Sequence, residues 1–255
     1  MKIAVLQNAS DEKAAQLARR LKLPLITEAT EVPYVLMYLE NGQGLALQQT
    51  GKKAPGPVQV DFNSAASTYR RTKGGGELLV KAVGGDKQHR PTVFDATAGL
   101  GRDSFVLASW GYPVTLFERS PVIAELLQDG LQRGLQSDDL DVVETVSRMQ
   151  LKPGDSQAFL HQANGSDLPD VIYLDPMFPL SKKSALVKKE MQAFHHVVGK
   201  EVDDVDELMA AALAHAIYRV VVKRPLKAEL LAGKKPSYSL KGKAVRFDVY
   251  VLKAY

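Results

Sequence analysis

The segment Val171-Ile172-Tyr173-Leu174-Asp175-Pro176-Met177-Phe178-Pro179 decides the fold class of this chain. Its first four residues form an apolar run, which is typical of a strand buried on both faces of a parallel sheet. Asp175 and Pro176 end that strand, and the ligand crevice of an open α/β sheet lies at such carboxyl ends. Pro176 has no N–H, so the carbonyls around it are free to accept from a ligand. The segment therefore predicts a carboxylate and the Phe178 ring beside a ligand site.

Strand and helix patterns alternate along residues 91–255. The predicted strands cover 92–95, 113–117, 149–152, 171–174, 217–223 and 245–251, and the predicted helices cover 102–110, 122–133, 186–198 and 205–215. Such alternation is typical of an α/β fold with a doubly wound, mainly parallel sheet. Pro236 and the turn-like Lys241-Gly242-Lys243 precede the last strand, so we expect that strand to run antiparallel.

Residues 1–60 predict a small α+β lobe. A strand at 2–6 and a helix ending near Leu21 precede two strands, at 34–40 and 45–49, which flank the hairpin-type turn Asn41-Gly42-Gln43-Gly44. We expect three parts in all: this lobe, a basic glycine-rich segment with a helix at residues 61–90, and the α/β domain of residues 91–255.

The composition excludes several classes of protein. The chain has 255 residues, 45% of them hydrophobic and none of them cysteine, so it can bury a full core but has no disulfides and no cysteine-based zinc site or nucleophile. The N-terminus lacks an apolar stretch long enough for a signal peptide, and the apolar stretch 208–222 is too short to span a bilayer. We expect a cytoplasmic protein without a metal site.

Positive charge is concentrated toward the C-terminus. Residues 181–255 carry 15 Lys and Arg against 8 Asp and Glu. A single lysine pair is usually a solvated face, but basic pairs that recur beside strand ends favour a polyanion such as nucleic acid. The residues predicted to contact it are Arg70, Arg71, Lys73, Lys182, Lys183, Lys223 and Arg224.

A glycine motif follows the first strand of the α/β domain, in Asp95-Ala96-Thr97-Ala98-Gly99-Leu100-Gly101-Arg102-Asp103. Glycines 99 and 101 let the backbone approach a ligand closely, and the helix that follows offers free N–H groups to an anion. Glu118 ends the next strand, 17 residues beyond Gly101, where an acid can accept both hydroxyls of a ribose. Together these residues predict a site for a nucleotide-like cofactor.

Two cofactor classes use such a motif. A dinucleotide requires a third small residue where this chain has Ser104, and the charged pair Arg102-Asp103 before it weakens that interpretation without excluding it. S-adenosylmethionine has no pyrophosphate, and Asp95 with Asp103 can meet its ammonium group. Asp155-Ser156, after the third strand, can accept from an adenine amino group or can cap a helix.

These motifs resemble the Class I S-adenosylmethionine-dependent methyltransferases, and longer segments resemble the ribosomal RNA small subunit methyltransferase J family. Those segments are Arg70-Arg71 with Gly74-Gly75-Gly76-Glu77, and residues 93–103, 173–179, 182–191 and 220–225. The resemblance implies a Rossmann-like fold. It also implies transfer of a methyl group from S-adenosylmethionine to the 2-amino group of a guanosine in small-subunit (16S) ribosomal RNA.

The resemblance implies roles for individual residues and a partner. The expected cofactor residues are Asp95, Gly99 and Gly101 in the loop, Arg102 and Asp103 at the methionine end, Glu118 and Arg119 at the ribose, and Asp155 and Ser156 at the adenine edge. Asp175 is expected at the junction of cofactor and target base. The partner is small-subunit ribosomal RNA or the 30S subunit, and we expect a monomer. Met177 departs from the second proline that amino-methyltransferases usually carry.

Three functions remain open from the residues themselves. In the first, Asp175 and a carbonyl near Pro176 accept from a guanine amine while Phe178 stacks on the base, although Phe178 also suits plain core packing. In the second, the same groups hold an adenine amine of DNA or RNA. The third is an RNA-binding or assembly module without turnover, against which the presence of both Asp175 and Glu118 argues.

Overall fold

The structure is a computed structural model, and it describes residues 2–7, 11–52, 54–65, 67–68, 76–85, 88–176 and 204–255. Two sheets organise these residues. One sheet has five strands drawn from the first 59 residues, and the other has seven strands drawn from residues 93–251.

The five-stranded sheet contains β1 (Ile3–Leu6), β2 (Leu25–Ile26), β3 (Tyr34–Leu39), β4 (Gly44–Gln49) and β5 (Val58–Gln59), in the order β2-β1-β3-β4-β5. Helix α1, Asp11–Leu21, buries Ala14, Leu17 and Ala18, which recur at helical spacing. Strands β3 and β4 pair antiparallel across the short turn Glu40–Gly42. The predicted hairpin is therefore confirmed.

The seven-stranded sheet contains β6 (Val93–Asp95), β7 (Val114–Glu118), β8 (Met149–Pro153), β9 (Val171–Leu174), β10 (Arg219–Pro225), β11 (Tyr238–Lys241) and β12 (Val245–Val251). Its order is β11-β12-β10-β9-β6-β7-β8. Strand β12 runs antiparallel to both of its neighbours, whereas β10, β9, β6, β7 and β8 all run parallel to one another. The predicted mainly parallel sheet with an antiparallel C-terminal strand is confirmed. Because the strand order reverses between β6 and β9, the ligand crevice is expected outside the carboxyl ends of these two strands.

The described helices after α1 are α2 (Glu77–Val83), α3 (Arg102–Ser109), α4 (Pro121–Leu135), α5 (Leu140–Ser147), α6 (Ser156–Gln162) and α7 (Val205–His215). The predictions of α3, α4 and α7 are confirmed, whereas the predicted helix at 186–198 lies outside the described residues. None of the helices in the described ranges is long and apolar enough to cross a membrane.

Helix α5 was not predicted, and α6 was foreseen only in the alternative that Asp155-Ser156 caps a helix; each helix begins at an aspartate that caps it. Asp139 accepts a hydrogen bond from the Asp141 backbone N–H at 3.0 Å at the start of α5, and Asp155 accepts one from the Gln157 backbone N–H at 2.8 Å at the start of α6. Both helices are short, with 8 and 7 residues, so their apolar periodicity is too brief to predict them.

The two sheets share one hydrophobic core, which includes Leu36 of β3 and Leu116 of β7. Phe62 stacks on Phe105 of α3 with ring centroids 4.8 Å apart. The Leu45 backbone N–H donates to Asp129 Oδ2 of α4 at 2.9 Å. Helix α4 thus packs against the first sheet, and the division of the chain at residues 60 and 90 stays a prediction.

We predict that Gly130→Ala destabilises the protein, because a Cβ at Gly130 of α4 would lie 2.3 Å from Val60 Cγ1 and 3.0 Å from the Val60 carbonyl oxygen. Alanine favours a helix by about 1 kcal/mol over glycine, but overpacking typically costs 1–3 kcal/mol. We expect a net loss of roughly 1 kcal/mol in the free energy of unfolding, measured by urea denaturation. The exposed change Gln132→Ala in the same helix is the control. Unchanged or higher stability of Gly130→Ala would contradict this packing.

Candidate active site at the carboxyl edge of the seven-stranded sheet

The glycine loop between β6 and α3 has the geometry of a ligand cradle. Gly99 and Gly101 adopt positive φ angles of 54° and 69°, a left-handed conformation that favours glycine. A Cβ at Gly101 would lie 2.8 Å from Leu127 Cδ1, so packing beneath the loop also requires glycine there. At Gly99 no atom of the described residues lies within 4 Å of the equivalent position. Among these residues, the loop is therefore supported below Gly101 and open beside Gly99.

Asp95, at the end of β6, lies beneath this loop. It is 2% exposed, and it accepts hydrogen bonds from Ser104 Oγ at 2.5 Å and from the Thr97 backbone N–H at 3.2 Å. Burial raises the pKa of Asp95 to about 7, although the Ser104 hydrogen bond opposes the shift. The carboxyl group ties the strand end to α3. Its predicted contact with the cofactor stays a prediction.

Glu118, at the end of β7, holds the same loop from the other side. Its Oε2 accepts from the Gly99 backbone N–H at 2.9 Å, and its Oε1 accepts from the Ser120 backbone N–H at 2.7 Å. The residue is 8% exposed. Each carboxylate oxygen has two lone pairs, so one carboxylate can accept from more than one donor. Glu118 therefore shapes the glycine loop besides the ligand role that the sequence predicts.

Asp155 and Ser156 lie where β8 passes into α6. Asp155 is exposed and caps the helix, and Ser156 is buried and donates from Oγ to the Ala96 carbonyl at 3.0 Å. Arg119 follows Glu118 and forms an ion pair with Asp204 at 3.4 Å. Both possibilities for Asp155, a helix cap and an adenine contact, remain compatible because capping uses only one of its oxygens.

Three charged side chains converge at the crevice. The Lys223 ammonium, on β10, lies 2.6 Å from Asp103 Oδ2 and 2.8 Å from Asp175 Oδ2. Tyr173 donates from its hydroxyl to Asp103 Oδ2 at 2.7 Å. The side chains of Asp103, Asp175 and Lys223 are 27%, 37% and 24% exposed, so this cluster faces the crevice and is partly shielded from water.

The cluster shifts the pKa values of its members in opposed ways. Burial raises the pKa of Asp175, the Lys223 ammonium opposes that shift, and the Asp103 carboxylate adds to it. Burial lowers the pKa of Lys223, but the two carboxylates outweigh it and the net shift is upward. Lys223 is therefore a stable cation, and the charge of Asp175 depends on it.

The segment after β9 is anchored to the glycine loop. The Asp175 backbone N–H donates to Thr97 Oγ1 at 2.7 Å, and Pro176 is buried. Thr97, Ser104 and Tyr173 form hydrogen bonds with the aspartates of the candidate site, and these contacts were not predicted from the sequence. Thr97 and Ser104 belong to the glycine motif and its helix, which was a usable signal, whereas the role of Tyr173 depends on how β9 and α3 pack.

Two residues predicted to contact RNA have side chains that are bonded to other groups of the protein. Lys223 is bonded to the two acids, and Arg224 is 5% exposed and hydrogen-bonds to the Glu229 carbonyl. The parallel register pairs Val222 with Leu174, so Lys223 is level with Asp175. Their contact with RNA phosphate stays a prediction.

Arg102, predicted at the methionine end of the cofactor, is the first residue of α3 and is half-buried, and its contact with the cofactor stays a prediction. The other predicted residues not yet placed lie outside the described part of the chain; they are Arg70, Arg71, Lys73, Phe178, Lys182 and Lys183, together with Met177. Within the described ranges, no group of three or more His, Cys, Asp or Glu residues could hold a metal ion.

Comparisons with known proteins agree with this geometry. Residues 16–252 match a family described as "Putative SAM-dependent methyltransferase". The ribosomal RNA small subunit methyltransferase J of Thioalkalivibrio sulfidiphilus is 51% identical over 242 residues, covering 94% of this chain and 93% of the relative. The protein of the same name from Pseudomonas aeruginosa strain PAO1 is 51% identical over 245 residues, covering 95% of this chain and 91% of the relative.

A solved structure supports the same assignment. The crystal structure of a SAM-dependent methyltransferase from Neisseria gonorrhoeae superposes with a TM-score of 0.74 at 40% identity, covering 98% of this chain and 96% of the other. The Rossmann-like methyltransferase fold is thereby confirmed. With half of its residues identical over nearly its whole length, this chain belongs to the ribosomal RNA small subunit methyltransferase J family.

Proposed function

We propose that this protein transfers a methyl group from S-adenosylmethionine to the exocyclic 2-amino group of a guanosine in small-subunit ribosomal RNA. One observation carries the proposal: Asp175, an acceptor for an amine, is hydrogen-bonded through its backbone to the glycine loop that would cradle the methyl donor. Donor and acceptor sites thus share one crevice. Membership of the family supports ribosomal RNA as the substrate.

The residues of the crevice fit S-adenosylmethionine, which when bound supplies an electrophilic methyl group. Among the described residues, no atom lies within 4 Å of a Cβ position at Gly99, which suits a ligand close to the backbone, and the Glu118 carboxylate beside it is the type of acceptor that ribose hydroxyls need. The residues proposed to hold the cofactor are Asp95, Gly99, Gly101, Arg102, Asp103, Glu118, Arg119, Asp155, Ser156 and Asp175. Asp103, in the first turn of α3, is proposed to meet the methionine end, and Asp155, the cap of α6, is proposed to meet the adenine edge.

The chemical problem for the enzyme is the weak nucleophilicity of a guanine amine, whose lone pair is delocalised into the ring. Asp175 accepting one N–H, and a carbonyl near Pro176 accepting another, would localise that lone pair and support the positive charge that develops on nitrogen. Asp175 or water then takes the proton. Phe178 stacking on the base would hold the ring for about 1–3 kcal/mol.

The proposed partner is small-subunit ribosomal RNA, free or in the 30S subunit. Arg70, Arg71, Lys73, Lys182 and Lys183 are proposed to contact its phosphates, together with Lys223 and Arg224. We further propose that the protein acts as a monomer in the cytoplasm, where this substrate is found.

A transfer assay with purified protein tests the function. The protein is incubated with isotope-labelled S-adenosylmethionine and either small-subunit RNA or 30S subunits, and the labelled nucleoside is identified by mass spectrometry. We expect N2-methylguanosine. A labelled N6-methyladenosine would instead support the adenine-amine alternative, and binding without transfer would support an assembly module.

We predict that Asp175→Asn lowers kcat by roughly 100-fold or more, because an amide replaces a charged acceptor at the reacting amine. Affinity for S-adenosylmethionine, measured by calorimetry, should fall far less than kcat, because the other residues proposed to hold the cofactor are unchanged. The control is Asp138→Asn, which removes an exposed acid outside the crevice. Normal turnover by a folded Asp175→Asn variant would remove Asp175 from the reaction.

We predict that Glu118→Gln weakens S-adenosylmethionine binding by about tenfold or more. Both of its oxygens accept backbone N–H groups, so an amide nitrogen places a donor against a donor and leaves one N–H without its partner, at a cost of about 1–3 kcal/mol. Titration calorimetry measures the change, and the exposed Glu28→Gln is the matched control. Unchanged affinity would show that Glu118 does not support the cofactor site.

A further inference from the structure

Lys223, the ammonium group at the crevice, bonds to two acids. Neither cofactor binding nor a contact with RNA phosphate explains these two bonds. Lys223 Nζ is within hydrogen-bond distance of one oxygen of Asp103 and one oxygen of Asp175, at 2.6 and 2.8 Å. It reaches both because β10 pairs with β9 in a register that sets Val222 opposite Leu174. The ammonium therefore joins the acid at the start of α3 to the acid at the end of β9.

We propose that Lys223 is a positioning residue for methyl transfer: it binds Oδ2 of Asp175 and so orients this carboxylate, as a charged acceptor, with Oδ1 directed to the target amine. Within the described residues, Oδ1 of Asp175 has no hydrogen-bond donor, while Oδ2 is bonded to Lys223. The two oxygens thus have separate functions. This inference rests on the proposed function, because it assigns the residue that prepares Asp175 for that reaction.

Electrostatics explains why a cation is required here. Among the described residues, the groups that interact electrostatically with Asp175 are Asp103 of α3, Asp95 of β6, Tyr173 of β9 and Lys223 of β10. Only Lys223 among these four is positively charged. Burial and the Asp103 carboxylate favour the protonated form of Asp175, which would donate from one oxygen where an acceptor is needed. Lys223 opposes both effects.

The ion pair between Lys223 and Asp103 also concerns the part of the crevice where the cofactor is proposed to bind. Asp103 also accepts from the Tyr173 hydroxyl, so Lys223 and Tyr173 fix one carboxylate oxygen from two adjacent strands. A shift of α3 would be transmitted to Asp175 through a single ammonium group. The acid proposed for the methionine end and the acid proposed for the base are held at a set separation before either ligand binds.

The test is the pH dependence of kcat for Lys223→Met. Without the ammonium, the pKa of Asp175 rises further, so a larger fraction of the carboxyl is protonated at neutral pH and the loss is reversed as the pH rises. We expect kcat about tenfold or more lower at pH 7, partial recovery by pH 9, and an acid limb moved up by about one pH unit or more. Lys223→Arg, which keeps the charge, should restore much of the activity.

Two comparisons make the result decisive. Lys13→Met removes the same charge from an exposed position of α1 and should keep the wild-type profile. Lys223→Gln removes the charge while keeping a polar side chain, so it serves if Lys223→Met does not fold. A wild-type pH profile, an equal loss at every pH, or a loss confined to RNA affinity and its salt dependence would overturn the inference. Failure of the wild-type protein to methylate guanosine would instead overturn the proposed function.

Discussion

The ion-pair cluster of Lys223 with Asp103 and Asp175 is the constraint on which the crevice depends. A doubly wound sheet brings the ends of β6, β9 and β10 to one edge, and in this chain those ends and the first turn of α3 carry three aspartates. Carboxylates at such close quarters repel one another and take up protons unless a cation is present. One ammonium group, 2.6 Å and 2.8 Å from two of them, resolves the conflict and fixes the geometry of the site.

Around this cluster the backbone is shaped by acids that accept N–H groups. Glu118 holds Gly99 from β7, and Asp95 holds Thr97 and Ser104 from β6. The carboxylates bond the Thr97 and Gly99 N–H groups of this loop, whereas the N–H groups of Ala98 and Gly101 donate to backbone carbonyls. Acidic residues therefore hold the proposed methyl-donor site in shape, and acidic residues are also expected to bind the donor. Glu118 is expected to do both.

The parts of the fold and site that the sequence predicts are those set by local pattern. Apolar runs ending in an acid or a glycine indicated β6, β7 and β9, and strand ends in a parallel sheet share one edge, so the grouping of Glu118 and Asp175 followed. The partners of Lys223 depend on the register between β9 and β10, which no local pattern encodes. Its place on a basic strand end indicated a phosphate contact, whereas pairing with β9 brings it to the acids. The short helices α5 and α6, and the packing of α4 on the first sheet, likewise depend on tertiary contacts.

In this crevice, we propose, a guanosine amine of small-subunit ribosomal RNA is methylated. The most direct measurement is the nucleoside content of that RNA, by mass spectrometry, from cells that lack the gene and from the same cells supplied with the wild-type or the Asp175→Asn protein. We expect N2-methylguanosine to fall in the deletion strain, to return with the wild-type protein and not to return with the variant. An unchanged N2-methylguanosine content in the deletion strain, or full restoration by the variant, would contradict it.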